Sequence, residues 1–295
     1  MSVFNFEFPF TAASFTRGAA AAAAFAAVGL AGALATTPVG AAPGEQSAGS
    51  TSASPESTSV FYVYPGRPRV WLSNHGNLLR FEGPTGYDHI GVGNLSEGYV
   101  LCYTGFGVQR RAWDTGESES GFGPSTASCS GNRCTITRNT SDGWLRLRQV
   151  ITKVDVERSL TVEMTLSRIG GPSLSGVVLR RQVDLDVDAG GSFGTGDTTN
   201  WFGATERESV WAWNAANDTG REGHAVMLRQ IQRTPAAVPY FAKVTELILD
   251  NSCSPFNLAA DGPVRGDYGA TIQYNVGNMG QQGQTFMGRV QYQRN

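Results

Sequence analysis

Short runs that alternate apolar and polar residues are the strongest structural signal in this sequence. In Ser159–Arg168 every second side chain from Leu160 to Leu166 is apolar, and the residues between them are polar or charged. A period of two is typical of a β-strand with one buried face, because successive side chains point to opposite sides of a sheet. Helical periodicity is hard to find beside it, so the chain is predicted to fold mainly into strands.

Similar runs recur between clusters of Gly, Asn, Asp and Pro, which are typical of turns. Besides Ser159–Arg168, the predicted strands are residues 60–64, 69–72, 78–82, 99–104, 108–113, 133–138, 144–154, 174–188, 209–213, 225–232 and 243–249, followed by a closing hairpin over residues 270–292. Residues 113–125 are interpreted as a polar loop bounded by glycines. This spacing predicts an all-β fold, a large antiparallel β-sandwich formed as a single sandwich or a supersandwich.

The N-terminus has the features of an export signal. Arg17 is the only basic residue among the first 17, an Ala-rich apolar run follows it, and Pro38 ends the run. Small residues then predict cleavage after Ala42 or Ala41. Residues 1–42 are therefore interpreted as a signal peptide, and we expect a secreted protein, extracellular or periplasmic, with no membrane span after cleavage. A retained membrane anchor is the alternative, because the run is about long enough to cross a bilayer.

The composition after the export signal separates a leader from a folded domain. Residues 43–58 are rich in Ser, Pro, Gly and Thr with little that could be buried, which predicts a disordered leader. Residues 59–295 are predicted to form the β-sandwich domain. The formal net charge is only −2 and no basic tract occurs, so no nucleic-acid partner is expected.

The four cysteines all lie in the part predicted to be exported, where an even number indicates two disulfides. Cys129 and Cys134 bracket the turn sequence SGNR, so their pairing would staple a hairpin. Cys102 would then pair with Cys253. A zinc site is the alternative, but the C-x4-C spacing has no second close pair of Cys or His to complete it.

Several stretches resemble known groups of proteins. LSNHGNLLRFEGPTGYDHI (72–90), EGYVLCY (97–103) and LRRQVDLDVD (179–188) resemble secreted bacterial β-sandwich proteins of uncharacterised function, and the closing YNVGNMGQQGQTFMGRVQY is similar to the last two strands of many bacterial surface sandwiches. The Arg-containing strand is also similar to the supersandwich of galactose-mutarotase-like proteins, which bind sugars on a concave sheet. These resemblances imply a fold, and no catalytic residue is carried over from them.

Tryptophans near residue 210 form the best candidate for a binding site. Indole rings stack on the C–H faces of sugars while neighbouring polar groups bind the hydroxyls. The candidate binding residues are Trp201, Arg207, Trp211, Trp213 and Asn214. Core packing is the alternative, because large aromatic side chains at a period of two bury much apolar area.

Histidines near carboxylates form a second candidate. His75 and His89 lie in a Gly- and Asn-rich region with Glu82, Asp88 and Glu97, and a histidine beside a carboxylate can serve as a general base or a metal ligand. The simpler interpretation is a tight turn over residues 74–77. Neither G-x-S-x-G nor H-E-x-x-H occurs in the chain.

Acidic residues that lie close together in the sequence provide two weaker candidate sites, one for calcium and one for glycosidase chemistry. No cofactor and no metal are expected, and the alternative is a calcium ion that would draw its ligands from Asp184, Asp186, Asp188 and Asp197. A straight strand does not converge such ligands, so the favoured interpretation is a solvated outer face with Arg180 as partner. Glu206 with Glu208, and Glu117 with Glu119, are close in sequence, but paired glycosidase acids must flank a substrate across a cleft.

The leading hypothesis is a secreted, non-catalytic β-sandwich that binds carbohydrate or a cell-surface polymer through its tryptophans. The first alternative is a secreted polysaccharide-active enzyme of the hydrolase, lyase or epimerase type. It would use His75 or His89 with Asp88 or Glu97 and predicts that these side chains meet in a pocket. The second alternative is a structural envelope or matrix protein, which would self-associate.

Overall fold

The computed structural model describes residues 51–52, 59–83, 85–90, 96–116, 118–187, 200–205, 208–213, 224–245, 251–253, 264–266 and 268–294. These residues all belong to one compact unit, Glu45–Asn295. The predicted signal peptide lies outside them. Within the described ranges, no helix is both long enough and apolar enough to cross a membrane.

Three antiparallel sheets account for most of the described chain. The seven-stranded sheet contains, in spatial order, β1 (Thr51–Ser52), β7 (Ser118–Ser120), β6 (Val108–Gly116), β5 (Ser96–Gly105), β12 (Leu174–Asp184), β18 (Gly269–Met279) and β16 (Tyr240–Thr245). The nine-stranded sheet contains β17 (Val264–Gly266), β13 (Asn200–Thr205), β14 (Ser209–Trp213), β15 (Ala225–Thr234), β19 (Thr285–Arg294), β11 (Ser159–Arg168), β10 (Leu145–Val154), β9 (Arg133–Thr140) and β8 (Phe122–Ser130). The small sheet contains β2 (Tyr62–Tyr64), β3 (Arg69–Leu72) and β4 (Leu78–Glu82). A short 3-10 helix, Asp155–Glu157, separates β10 from β11.

The core lies between the inner faces of the two large sheets. On β11 the side chains of Leu160, Val162, Met164 and Leu166 are fully buried and alternate with partly exposed polar residues. Most of the buried apolar side chains of the three sheets form one continuous cluster, and Val100, Cys102 and Trp113 form a second, smaller one. The all-β, large antiparallel sandwich predicted from the sequence is confirmed.

Both predicted disulfides are present and staple this sandwich. Cys129 and Cys134 are direct partners in the β8–β9 ladder, and their bond closes that hairpin. Cys102 on β5 is bonded to Cys253, a separation of 151 residues. No cysteine among these four is free, so the zinc alternative is wrong.

The predicted strand ends differ from the observed ones in several places. The strand predicted over residues 174–188 ends at Asp184, and the one predicted over 243–249 begins earlier, at Tyr240. Residues 246–249 of that prediction lie outside the described residues. The polar loop predicted over residues 113–125 is wrong, because this segment completes β6, forms β7 and begins β8. Two carboxylates of this segment, Asp114 and Glu119, are paired with the buried Arg138, which lets them lie inside the sandwich.

Candidate functional site

The tryptophans of β14 lie on the outer face of the nine-stranded sheet, away from the core. Val210 and Ala212 on the same strand are fully buried, whereas Trp211 and Trp213 alternate with them and are half-buried. Side chains at a period of two share one face of a strand, so the two indole rings share this outer face. The core-packing alternative is therefore wrong for Trp211 and Trp213.

The neighbouring strands shape the surroundings of these two rings. Gly203 on β13 is the ladder partner of Trp211, and a Cβ built on it would lie 3.6 Å from the ring of Trp213. Met227 on β15 is the other ladder partner of Trp211. The Nε1–H of Trp211 donates a hydrogen bond to Ser209 Oγ at 3.1 Å, which fixes one edge of the indole.

A strip of hydrogen-bonded polar side chains borders the tryptophans on the same face. Ser209, Arg229 and Gln291 are successive ladder partners on β14, β15 and β19. Arg229 Nε donates to Gln291 Oε1 at 2.7 Å, and Gln291 Nε2 donates to Ser159 Oγ and Glu157 Oε2, both at 3.0 Å. Gln291 itself is buried and holds Arg229 in place from below. We call the surface formed by Trp211, Trp213 and Arg229 the tryptophan face. Indole rings beside a guanidinium group can stack on a sugar and bind its hydroxyls.

The structure describes only part of the binding site predicted from the sequence. Arg207 and Asn214 lie outside the described residues, and for Trp201 the structure describes only the backbone, as the ladder partner of Trp213. The sequence analysis missed Arg229 and Gln291. They lie about twenty and eighty residues from Trp211 along the chain, and only the ladder pairing brings them to the same face.

A cluster of charged side chains lies inside the sandwich, near the small sheet. Arg138 on β9 donates to Asp114 Oδ2 at 2.7 Å and to Glu119 Oε2 at 2.9 Å. His75 Nδ1 lies 2.8 Å from Asp114 Oδ2 and 3.2 Å from Glu119 Oε2. Tyr99 completes the cluster, because its hydroxyl accepts from Arg138 at 3.3 Å and donates to the carbonyl of His75 at 3.0 Å. We call these five residues the buried quintet.

The pKa values in the buried quintet favour charged side chains. Burial alone would lower the pKa of His75, but its hydrogen bonds to Asp114 and Glu119 raise that pKa to about 9. Burial alone would raise the pKa of Glu119, but the hydrogen bond to His75 and the charge of Arg138 lower it to about 2. At neutral pH His75 is therefore protonated, Glu119 is ionised, and the two form an ion pair.

The same geometry argues against a metal centre. Among the described residues, His75, Asp114 and Glu119 form one group whose ligand atoms all lie within 4.8 Å of one another. However, Arg138 Nη1 lies 2.7 Å from Asp114 Oδ2 and 3.2 Å from His75 Nδ1. A cation would have to displace the guanidinium from these ligands, so we interpret the quintet as a set of structural ion pairs.

A second buried network joins the two large sheets. Arg181 on β12 pairs with Glu97 Oε1 at 2.5 Å and donates to Gln149 Oε1 at 2.7 Å. Tyr292 on β19 donates its hydroxyl proton to Glu97 Oε1 at 2.5 Å, and the backbone N–H of Leu78 donates to Glu97 Oε2 at 2.7 Å. All of the polar side chains in this network are buried, so their hydrogen bonds offset the cost of removing them from water.

The histidine and carboxylate pairs of the enzyme hypothesis do not form as predicted. His75 does lie in the predicted tight turn, but it contacts Asp114 and Glu119 rather than Asp88 or Glu97. Asp88 Oδ1 accepts from three backbone N–H groups. His89 is fully buried with Nε2 2.7 Å from the carbonyl of Gly83, and burial lowers its pKa to about 3.

The remaining acidic candidates are also placed differently from the expectation. Asp184 and Asp186 are buried, so the solvated outer face predicted for them is wrong. Arg180 donates to Gln273 Oε1, at 3.2 and 3.1 Å, and to the carbonyl of Ser252. Asp188, Asp197, Glu117 and Glu206 lie outside the described residues, and Glu208 is exposed and accepts from the hydroxyl of Tyr240 at 3.3 Å.

One feature of the sequence does indicate the buried networks, namely arginines at positions that the alternation assigns to the core. Arg138 continues the alternation of Cys134 and Ile136, and Arg181 follows Leu179 in the same phase. A charged residue at an inward position predicts a buried ion pair, because an unpaired charge there would be too costly. The pattern does not identify the partner.

Comparison with known proteins shows the fold of this chain. No protein family and no curated protein matches its sequence. A bacterial glucoamylase, crystallised with acarbose, is similar in structure with a TM-score of 0.54 and 11% identity over 83% of this chain. The match spans 33% of the glucoamylase, about a third of its length.

Two further structures are similar at lower TM-scores. One is a protein of Escherichia coli K12 assigned as an aldose 1-epimerase, with a TM-score of 0.46 and 13% identity over 79% of this chain and 98% of that one. The other is a galactose mutarotase related enzyme from Lactobacillus acidophilus, with a TM-score of 0.40 and 9% identity over 79% and 97%. The similar structures thus include proteins of the mutarotase kind.

Proposed function

We propose that this protein is a secreted, non-catalytic β-sandwich that binds carbohydrate on its tryptophan face. The observation that carries the proposal is the outward, half-buried position of Trp211 and Trp213 beside Arg229, whose guanidinium is held by the buried Gln291. Apolar ring faces next to hydrogen-bonding groups are what a sugar requires, since its C–H face and its hydroxyls differ in polarity.

The fold and the disulfides are compatible with this proposal. The structurally similar glucoamylase is a carbohydrate-active enzyme, and the sandwich covers a third of it. Two disulfides suit an oxidising compartment, outside the cell or in the periplasm. His75 is held in ion pairs, and His89 lies against a backbone carbonyl. Neither arrangement favours the enzyme hypothesis.

A glycan-binding screen tests the proposal. The full-length chain, produced by export so that its disulfides form, is titrated with soluble glycans and incubated with insoluble polysaccharides while tryptophan fluorescence is followed. We expect saturable binding with a spectral change. W211A and W213A should each weaken binding at least tenfold, because each removes a stacking surface, whereas W213F should retain part of the affinity.

Phe106→Ala is the matched control for this screen. Phe106 is an aromatic residue that is 79% exposed at the β5–β6 turn, far from the tryptophan face in the strand order. Its loss should leave glycan binding unchanged. Equal binding by the wild type, W211A and W213A would reject the site, and no binding to any glycan would reject the function.

A further inference from the structure

Arginines without ion-pair partners mark another part of the outer face of the nine-stranded sheet. Arg133 on β9, and Arg146 and Arg148 on β10, alternate with buried core residues and therefore point outward. Among the described residues, none of the three forms an ion pair, and Arg146 donates only to Asn139 Oδ1, at 3.0 Å. Strands β8, β9 and β10 contain no Asp or Glu, so no acidic side chain on these strands offsets the three charges.

Neutral polar groups surround these arginines. An open depression of about 310 Å³ is lined by Pro124, Thr126, Thr137, Asn139 and Arg146. Thr126 and Thr137 are direct ladder partners, and Arg148 is the ladder partner of Thr137 on the other side. Hydroxyl, amide and guanidinium groups are thus arranged in rows across three strands. Such groups bind the hydroxyls and the anionic substituents of a polymer.

The arginines and the tryptophan face belong to one continuous surface. Between β14 and β10 lie β15, β19 and β11, which is four strand spacings, about 19 Å at about 4.8 Å per strand. The ladder row of Trp211 reaches β10 at Val154, so Arg148 is also displaced by six residues along its strand, about 20 Å at about 3.3 Å per residue. The intervening outer residues on β19 and β11 include Arg289 and Glu163, which form an ion pair and cancel each other's charge. A ligand that reaches both regions must be a chain of several sugar units.

We infer that the carbohydrate bound by this protein is an acidic polysaccharide that lies across the strands of the nine-stranded sheet. Sugar rings stack on Trp211 and Trp213 at one end, and carboxylate or sulfate groups pair with Arg146, Arg148 and Arg133 at the other. This inference rests on the proposed function and adds the charge and the length of the ligand. The overall net charge of −2 indicates that the protein has no general basic field, so the preference is confined to this surface.

Two matched pairs of polymers test the charge of the ligand. Binding of the full-length chain to polygalacturonate is compared with binding to its methyl-esterified form, and binding to dextran sulfate with binding to dextran. We expect the acidic member of at least one pair to bind at least roughly tenfold more tightly, with an affinity that falls as salt rises. R146Q/R148Q should lose about tenfold in affinity for the acidic polymer. R69Q/R111Q, which removes two cations from β3 and β6, is the control and should lose nothing.

The outcomes separate this inference from the proposed function. If the neutral polymers bind as tightly as the acidic ones and W211A/W213A abolishes binding, the inference is overturned and the proposed function stands. Single-stranded DNA that binds as tightly as the acidic polysaccharide would also overturn it, because the surface would then be an unselective polyanion site. Binding to none of the four polymers would overturn the inference alone, because the proposed function is rejected only if the wider glycan screen also finds no ligand.

Discussion

The carboxylate of Glu97 lies 2.5 Å from Nη2 of Arg181, and both side chains are completely shielded from solvent. Tyr292 from the opposite sheet donates to the same carboxylate, so this pair links the two layers of the sandwich. A buried charge that loses its partner is strongly destabilising, because it can neither be solvated nor neutralised without cost.

Removal of one partner from this pair should therefore destabilise the fold. R181M and E97Q should each lower the free energy of unfolding by about 3–5 kcal/mol, measured by urea denaturation. The double variant E97Q/R181M should lose less than the sum of the two single variants, because it no longer leaves an unpaired charge. Additive losses would contradict a direct coupling between the two residues.

Stability should decline between neutral and alkaline pH. Hydrogen bonds to Asp114 and Glu119 outweigh burial and raise the pKa of His75 from 6.5 to about 9. Because the folded pKa lies above the ordinary one, the contribution of His75 is complete below pH 6.5 and is lost as the pH rises to 9. Urea denaturation at several pH values should show this decline in the wild type and not in H75Q. A wild-type curve that is flat over this range would mean that His75 is not charged in the folded protein.

A second decline is expected at acid pH. The hydrogen bond to His75 and the charge of Arg138 outweigh burial and lower the pKa of Glu119 from 4.5 to about 2. A lowered folded pKa stabilises the protein above pH 4.5, and this contribution is lost as the pH falls towards 2. E119Q should be less stable than the wild type at pH 6, and the difference should shrink at pH 3. A difference that stays constant would argue against the ion pairs.

Gly98 should not tolerate a side chain. A Cβ built at this position would lie 1.9 Å from the backbone oxygen of Asp114 and 2.8 Å from Asn77 Nδ2. G98A should lower the free energy of unfolding by about 1–3 kcal/mol or more, since the neighbouring backbone must move. The control is G280A, because a Cβ added to Gly280 would have no other atom within 4 Å. Its effect should stay within about 0.5 kcal/mol, and equal losses in the two variants would refute the steric argument.

The two disulfides should differ in their contribution to stability. The Cys102–Cys253 bond closes a loop of 151 residues and the Cys129–Cys134 bond one of 5. In the chain-entropy account their loss should cost about 5 and about 2 kcal/mol respectively. Urea denaturation of C102A/C253A and C129A/C134A measures both values. A larger loss for the short bridge would show that native contacts, rather than loop entropy, decide the effect.

Truncation of a buried tryptophan should lower the stability of the protein more than truncation of a tryptophan on the outer face. Trp113 is 1% exposed and packs against Val100 and Cys102, so W113A should cost about 3–5 kcal/mol. Trp213 is half-buried on the outer face, and W213A should cost about 1 kcal/mol. Thermal denaturation with circular dichroism distinguishes the two, and a small loss for W213A is what makes its binding test interpretable. A loss as large as that of W113A would identify Trp213 as a structural residue.

The sequence by itself determined the strands and the class of fold. The alternation in Ser159–Arg168 predicts β11 with its observed ends and its buried face, because a pleated strand sorts its side chains within a few residues. The turn between Cys129 and Cys134 likewise specifies the short disulfide, and with only four cysteines the second pair follows. These features depend on local geometry or on simple elimination.

Only the tertiary structure decided which residues meet. Arg138 contacts His75, 63 positions away, and Tyr292 contacts Glu97, 195 positions away. The alternation assigns each side chain to a face but contains no information about the order of strands in a sheet. For the same reason the sequence could group Trp211 with Trp213 but could not show that their face points away from the core, or that Arg229 and Gln291 lie beside them. The candidate site therefore follows from strand pairing, which is a property of the whole domain.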